Sequence, residues 1–173
     1  VTCVHKSNVM RITDGVFVKA CTEISKEYPD IIFEEMYVDA CAMNLIRQPE
    51  QFDVIVTTNL FGDILSDESS QVVGGLGMAP AANLGDNFAL FEPVHGAAFD
   101  IAGQNIANPS SFLLSIKMML DWLGAKHNDP KCLEVATKLE STIFDLVKSG
   151  IKTKDIGGDK TTSEFTKQIT DNL

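Results

Sequence analysis

Two aspartates, Asp63 and Asp67, stand four residues apart in the stretch Asn59-Leu60-Phe61-Gly62-Asp63-Ile64-Leu65-Ser66-Asp67, just after the apolar run Asp53-Val54-Ile55-Val56. On a helix, positions i and i+4 share one face, so both carboxylates point the same way. At about 4 Å and an effective dielectric near 20, two such charges repel by roughly 4 kcal/mol. A hard divalent cation relieves that repulsion. Mg²⁺ takes only a couple of protein carboxylates and leaves positions open for substrate oxygens. A solvated helix face carrying two charges is the alternative, and the spacing alone admits both.

The elements that must position these residues follow from hydrophobic periodicity. Val1-Thr2-Cys3-Val4 is a β-branched run suited to a buried strand. Residues 8–27 are expected to be helical, with Val9, Ile12, Val16, Ala20 and Ile24 at helical spacing and Tyr28-Pro29-Asp30 as the stop. Residues 31–38 return to strand character, 40–47 to helix, and 52–57 form a near-continuous apolar run expected to be an interior strand. A helix over 61–73 ends at Gly74-Gly75.

From Gly74 to Pro109 the chain is rich in Gly, Ala, Asn and Pro, with one strand-like island at 88–91. A long loop-rich segment of this kind is usually functional. Helices are expected over 109–123 and 131–148, then a short strand at 153–156, a Gly157-Gly158 turn and a terminal helix from Thr162. Strands alternating with helices mean an α/β layered architecture.

Composition narrows the function classes. At 173 residues, with 45% hydrophobic and 22% charged residues, the chain is globular and long enough for a real core. A net charge of −10 argues against nucleic acid and against an anionic membrane surface. A small acidic substrate stays open, since a local lysine or metal overrides the global field. The four cysteines lack metal spacing and read as reduced, buried thiols of a cytoplasmic protein. No apolar run is long enough to span a bilayer. The chain opens at Val1, inside a strand, and reads as part of a longer protein.

Four clusters complete the chemistry: His5-Lys6-Ser7-Asn8-Val9-Met10; Tyr37-Val38-Asp39; Gly62-Asp63-Ile64-Leu65-Ser66-Asp67; and Glu92-Pro93-Val94-His95-Gly96 continuing to Asp100-Ile101-Ala102-Gly103 and Ile106-Ala107-Asn108-Pro109. In this order and spacing the chain resembles, over nearly its whole length, the β-decarboxylating dehydrogenases of 3-isopropylmalate, isocitrate and homoisocitrate. Glu35-Met36-Tyr37-Val38-Asp39-Ala40 and Gly96-Ala97-Ala98-Phe99-Asp100 look most like the archaeal-type 3-isopropylmalate enzymes.

The resemblance implies the isocitrate/isopropylmalate dehydrogenase-like layered fold rather than a Rossmann fold, and here the C-terminal half of a two-domain protein. Residues 1–73 would be the return half of a small, dimer-forming and metal-binding domain. Residues 74–173 would be the C-terminal half of a large cofactor-binding domain. It also implies NAD-dependent oxidative decarboxylation of a small 2-hydroxy di- or tricarboxylate, with Mg²⁺ or Mn²⁺ stabilising the alkoxide and then the enolate. Asp63 and Asp67 match two metal ligands and Asp39 a third, three carboxylates converging on one cation. Lys6 matches the catalytic lysine, a base or proton relay. Lys6 and Asp39 would reach into a neighbouring subunit's active site, so a homodimer with shared sites is implied. Arg11 could pair with a substrate carboxylate or with a neighbouring aspartate, and the structural reading is favoured.

The signature G-x-G-x-x-G is absent, since Gly74-Gly75-Leu76-Gly77 does not fit it. The resemblance instead assigns the cofactor to Glu92 through Asn108. Gly96 would let backbone approach the cofactor, and Asp100 would accept both ribose hydroxyls and repel a 2′-phosphate, favouring NAD. Ile101 would lie on the adenosine and Asn108 on the adenine edge. His95 would stand near the cofactor without being catalytic, Glu92 would belong to the same loop, and Asn8 and Asn59 would be further cofactor contacts. Phe99 departs from the proline common at that position, which frees the local φ and leaves the polar groups in place. In the family, the substrate-gripping arginines and a tyrosine precede the Lys6 segment, so this chain alone is expected to be inactive, with exposed sheet edges.

Rival readings are a non-catalytic regulatory subunit of NAD-dependent isocitrate dehydrogenase, a Mg²⁺-dependent phosphoryl-transfer enzyme and an interaction domain without chemistry. The first loses metal or lysine positions that are present here, and the second wants a P-loop that is absent.

Overall fold

The computed structural model describes residues 1–173 as two compact units, Val1–Val72 and Val73–Leu173. In the first, β1 (Thr2–His5), β2 (Glu34–Tyr37) and β3 (Ile55–Thr57) form a parallel sheet in the order β2-β1-β3. The helices α1 (Thr13–Ser25), α2 (Val38–Arg47) and α3 (Asn59–Val72) follow the three strands in turn. All four residues of β1 are buried. Because β side chains alternate, Val4 faces one side of the sheet and packs with Cys41, Leu45 and Leu65 of α2 and α3.

The sheet corrects one expectation. The apolar run 52–57 is not an interior strand: its ordered part, β3, lies at the sheet edge, and β1 is central. Pairing order is a tertiary property, and an apolar run does not carry it.

A second correction concerns the start of α1, expected at Asn8 and found at Thr13. The carbonyl of Lys6 accepts the N–H groups of both Val9 and Met10, at 2.9 and 2.8 Å, which closes a tight turn before the helix begins. The apolar stripe that suggested the longer helix faces outward, with Val9, Ile12, Val16 and Ile24 all exposed.

The second unit holds an antiparallel hairpin of β4 (Pro80–Leu84) and β5 (Ala89–Pro93), then α4 (Ser110–His127), α5 (Pro130–Lys148) and α6 (Thr162–Asn172). Strand β4 was hidden in the Gly- and Ala-rich stretch; the Asp86-Asn87 tip turns it back onto the expected island. Met78, Leu114, Leu139, Ile143, Leu146, Phe165 and Ile169 form the core. Local chemistry sets the helix ends. Asp129 accepts the N–H of Lys131 ahead of α5, with Pro130 in the first turn, and Thr161 and Glu164 make a reciprocal capping box for α6.

The short strand expected at 153–156 is instead a single 3₁₀ turn, Lys154–Ile156. The chain doubles back so tightly that the Gly158 N–H reaches the Thr153 carbonyl at 2.8 Å, leaving only a lone bridge from Thr153 to Lys160. A Cβ at Gly158 would fall 1.9 Å from the Lys152 carbonyl oxygen, so only glycine fits. No helix is long and apolar enough to cross a membrane. The thiols are free, but only Cys3 and Cys41 are buried; Cys21 and Cys132 are partly exposed.

Candidate active site

Lys6 is the first residue beyond buried β1, and its side chain is 23% exposed. Its ammonium forms an ion pair with Asp39 in the first turn of α2 and lies 5.7 Å from the ring centroid of Tyr37. Tyr37 in turn meets the buried His5 ring edge-to-face at 5.3 Å. The hydrogen bond from Lys6 holds the Asp39 carboxyl below its ordinary value, assisted by backbone N–H groups at the helix start.

The backbone around Lys6 is pinned on every side. Its N–H donates to Oδ2 of Asp14 at 2.6 Å, and its carbonyl accepts two N–H groups. The Ser7 N–H donates to Nδ1 of His5 at 3.2 Å, so the His5 proton resides on Nε2, 3.7 Å from Glu35.

On α3, Asp63 and Asp67 are exposed and neither has an ion pair or a hydrogen-bond donor on its carboxylate. Hydroxyls of Ser66 and Ser70 bond the carbonyls of Asp63 and Asp67 at 3.0 and 2.7 Å and leave the carboxylates free. Gly62 faces β3, where a Cβ would lie 3.4 Å from the Thr57 methyl. Two unneutralised hard-oxygen donors on one helix face suit Mg²⁺ or Mn²⁺. Within one chain no three metal-ligating residues gather, and the resemblance assigns Asp39 to a neighbouring subunit's site, not to the Asp63–Asp67 pair of its own chain. Asp39 is engaged by Lys6. Arg11 is exposed and makes no ion pair, so its expected pairing with an aspartate is absent.

In the second unit the segment after β5 is exposed from His95 through Asp100. Glu92 accepts the Asn83 amide at 3.2 Å, and Nδ1 of His95 donates to the Gly96 carbonyl at 2.9 Å. A Cβ on Gly96 would meet nothing within 4 Å, so the backbone there is open to a ligand. Ala98 adopts the left-handed region, φ 46°, where a side chain costs energy, and the following 3₁₀ turn presents Asp100 and half-buried Ile101. The Asp100 carboxylate has no partner in the chain, and only its backbone carbonyl is engaged, by Gln104 at 2.7 Å. Such an acceptor fits a vicinal diol. Asn8 and Asn59 are also exposed, with side chains free of hydrogen bonds.

Asn108 departs from expectation. Its side chain is buried and already committed: Nδ2 donates to Asp155 at 3.0 Å, and Oδ1 accepts the Ser110 N–H at 3.0 Å at the start of α4. The amide that was expected on an adenine edge is here a helix cap and loop tie.

Two residues that sequence reasoning left unassigned matter here. Asp14 falls inside the expected helix 8–27 without a role; with the helix starting at Thr13 it lies in the first turn, where carboxylates bond backbone N–H groups. His5 was quoted beside Lys6 but given no role: the β-branched run suited to a buried strand ends at Val4, while the buried strand includes His5.

Known proteins supply the remaining information. A family model described as isocitrate/isopropylmalate dehydrogenase matches residues 1–172. The chain is 55% identical over 170 residues to the 3-isopropylmalate dehydrogenase of Saccharolobus solfataricus, covering 98% of this chain and 50% of that protein. It is 48% identical to the isocitrate/homoisocitrate dehydrogenase of Thermus thermophilus over 98% of this chain and 48% of that one. Among solved structures it resembles isocitrate dehydrogenase from Methylococcus capsulatus, with a TM-score of 0.91 and 42% identity, over 99% of this chain and 49% of that chain. The chain thus spans about half the length of the curated relatives it matches.

Proposed function

The chain belongs to the isocitrate/isopropylmalate dehydrogenase family, and we propose that it carries the lysine, metal ligands and cofactor loop of an NAD-dependent enzyme that oxidatively decarboxylates a 2-hydroxy acid. The observations that carry this reading are the pairing of a positioned lysine, Lys6, with Asp39 and the unneutralised Asp63–Asp67 pair on α3.

Residues 1–73 supply the metal-binding and dimer-forming portion. Asp63 and Asp67 would hold Mg²⁺ or Mn²⁺ together with Asp39 from a second copy of the chain, since one copy does not bring the three together. The bound cation supplies Lewis acidity for the substrate's hydroxyl and carboxylate oxygens. Lys6 holds and returns the proton at its Nζ, with its place set by a backbone turn bonded at both N–H and C=O.

Residues 74–173 supply the cofactor portion. Asp100 accepts hydrogen bonds from the ribose diol and disfavours a 2′-phosphate by like-charge repulsion, which selects NAD over NADP. Gly96 lets the loop backbone approach the dinucleotide, with Glu92, His95 and Ile101 in the same segment. Asn8 and Asn59 are assigned to cofactor binding on the resemblance alone. The protein acts in the cytoplasm, in keeping with its free thiols.

The relatives' names divide between 3-isopropylmalate and isocitrate or homoisocitrate. We favour 3-isopropylmalate, on the texture of the Tyr37-Val38-Asp39 and Gly96 to Asp100 segments. The test is NADH formation by the complete gene product with Mg²⁺ and each of the three substrates in parallel. Turnover of 3-isopropylmalate that Asp63→Asn abolishes supports the reading. A folded dimer that binds NAD but turns over none of the three overturns it in favour of a regulatory subunit.

A further inference from the structure

We propose that Asp14 is a positioning residue for Lys6: its buried carboxylate fixes the backbone N–H of Lys6 and thereby sets where the Lys6 ammonium stands. This rests on the role of Lys6 given above.

Asp14 is 2% exposed, yet no cation in the chain pairs with it. A buried unpaired carboxylate is costly unless hydrogen bonds and dipoles compensate it. Both compensations are present. Oδ2 accepts the Lys6 N–H at 2.6 Å, and the residue sits in the first turn of α1, where the helix's positive end favours an anion. The bond ties the start of α1 to the end of β1, across eight residues.

The alternative conformation for this turn is plain from its chemistry. Without Asp14, the Lys6 N–H at the strand's end has no acceptor, and the residues of the turn are free to extend the helix backward over the apolar positions Val9 and Ile12. Lys6 would then leave the strand end on a different vector, and its ammonium would lose Asp39. A displacement of about 1 Å at a reacting group costs on the order of 100-fold in rate.

The test uses the complete gene product and four variants: Asp14→Ala, Asp14→Asn, Lys6→Ala and the Lys6→Ala/Asp14→Ala double variant. Asp14→Asn keeps an oxygen acceptor for the Lys6 N–H. The expectation is a kcat at least 10-fold lower for Asp14→Ala with KM values for substrate and NAD within about threefold, substantial recovery in Asp14→Asn, and no further loss in the double variant relative to Lys6→Ala. Additive losses in the double variant, or Asp14→Ala with wild-type kcat, overturn the positioning role. Should Asp14→Ala fail to fold, Asp14→Asn with kcat as low as that of Lys6→Ala overturns it as well. Lys6→Ala with undiminished kcat would sink the reading of Lys6 itself, separately from Asp14.

Discussion

The ammonium of Lys6, just past the C-terminal end of β1, forms an ion pair with the carboxylate of Asp39 in the first turn of α2, thirty-three residues further along the chain. The carboxylate side of the pair is largely exposed, 69%, so water screens it and its contribution to folding is small. Asp39→Asn should therefore leave the urea unfolding midpoint nearly unchanged while lowering turnover by the complete gene product at least 100-fold. Loss of stability comparable to a core substitution would instead make the pair structural.

Asp63 and Asp67 should show opposite effects on stability and on metal response. With EDTA present, Asp67→Asn removes an i,i+4 like-charge repulsion and should stabilise the protein by about 0.2–0.5 kcal/mol. With Mg²⁺ or Mn²⁺ added, the unmodified protein should gain thermal stability and the variant should not. Melting curves under both conditions check this, and an equal cation shift in both proteins would remove Asp67 from the ligand set.

Asn108→Ala removes a cap and the bond to Asp155, both in buried surroundings, and should cost roughly 2 kcal/mol. Asn108→Asp should be worse, because it sets a second carboxylate against Asp155. Denaturation of the two variants measures the cost. A normal midpoint with a selectively raised KM for NAD would restore the side-chain contact to the base.

Ala98 offers a test of the strain in the exposed loop. Glycine relieves the left-handed penalty of about 1–2 kcal/mol but loses roughly 0.5–1 kcal/mol to unfolded-state entropy. Ala98→Gly is expected to be neutral or up to about 1.5 kcal/mol stabilising, and Ala98→Val clearly destabilising, by calorimetry.

The alkaline limb of stability should report Cys3. Burial, then its hydrogen bond and charge interaction with Cys21, push the Cys3 thiol up to about 12 from an ordinary 9.0. A thiol whose folded value is raised stays protonated in the native state while the unfolded chain ionises. The stabilisation is thus complete below about pH 9 and lost as pH rises from there through 12. Cys3→Ala should flatten that decline, and native Cys3 should resist iodoacetamide at pH 8 while Cys132 reacts. Rapid alkylation of Cys3 in the folded protein would contradict its burial.

Much of this was legible in the chain itself. The period-3.6 patterns of α2, α5 and α6 are strong, and their ends are written in local chemistry: Pro130 after Asp129, and Thr161 three residues before Glu164. Local hydrogen bonds between near neighbours decide such features, so residue types at fixed spacing reveal them. The Asp63–Asp67 pair belongs to the same class, because helix geometry alone puts both on one face.

What the tertiary structure decided involves partners far apart in sequence. Periodicity assigned Val9 and Ile12 to a helix, but the Asp14 carboxylate captures the Lys6 N–H and ends the turn before that helix can start. An apolar run placed β3 inside the sheet, whereas strand order depends on which edges meet, and β1 took the centre. Asn108 looked free for a ligand until Asp155, forty-seven residues on, came within hydrogen-bond reach. Asp39 meets Lys6, thirty-three residues away in the sequence. Residue type and spacing determined which groups could do chemistry; only the packing of strands and turns decided which of them were already engaged, since a hydrogen bond or ion pair satisfies a group wherever its partner lies in the sequence.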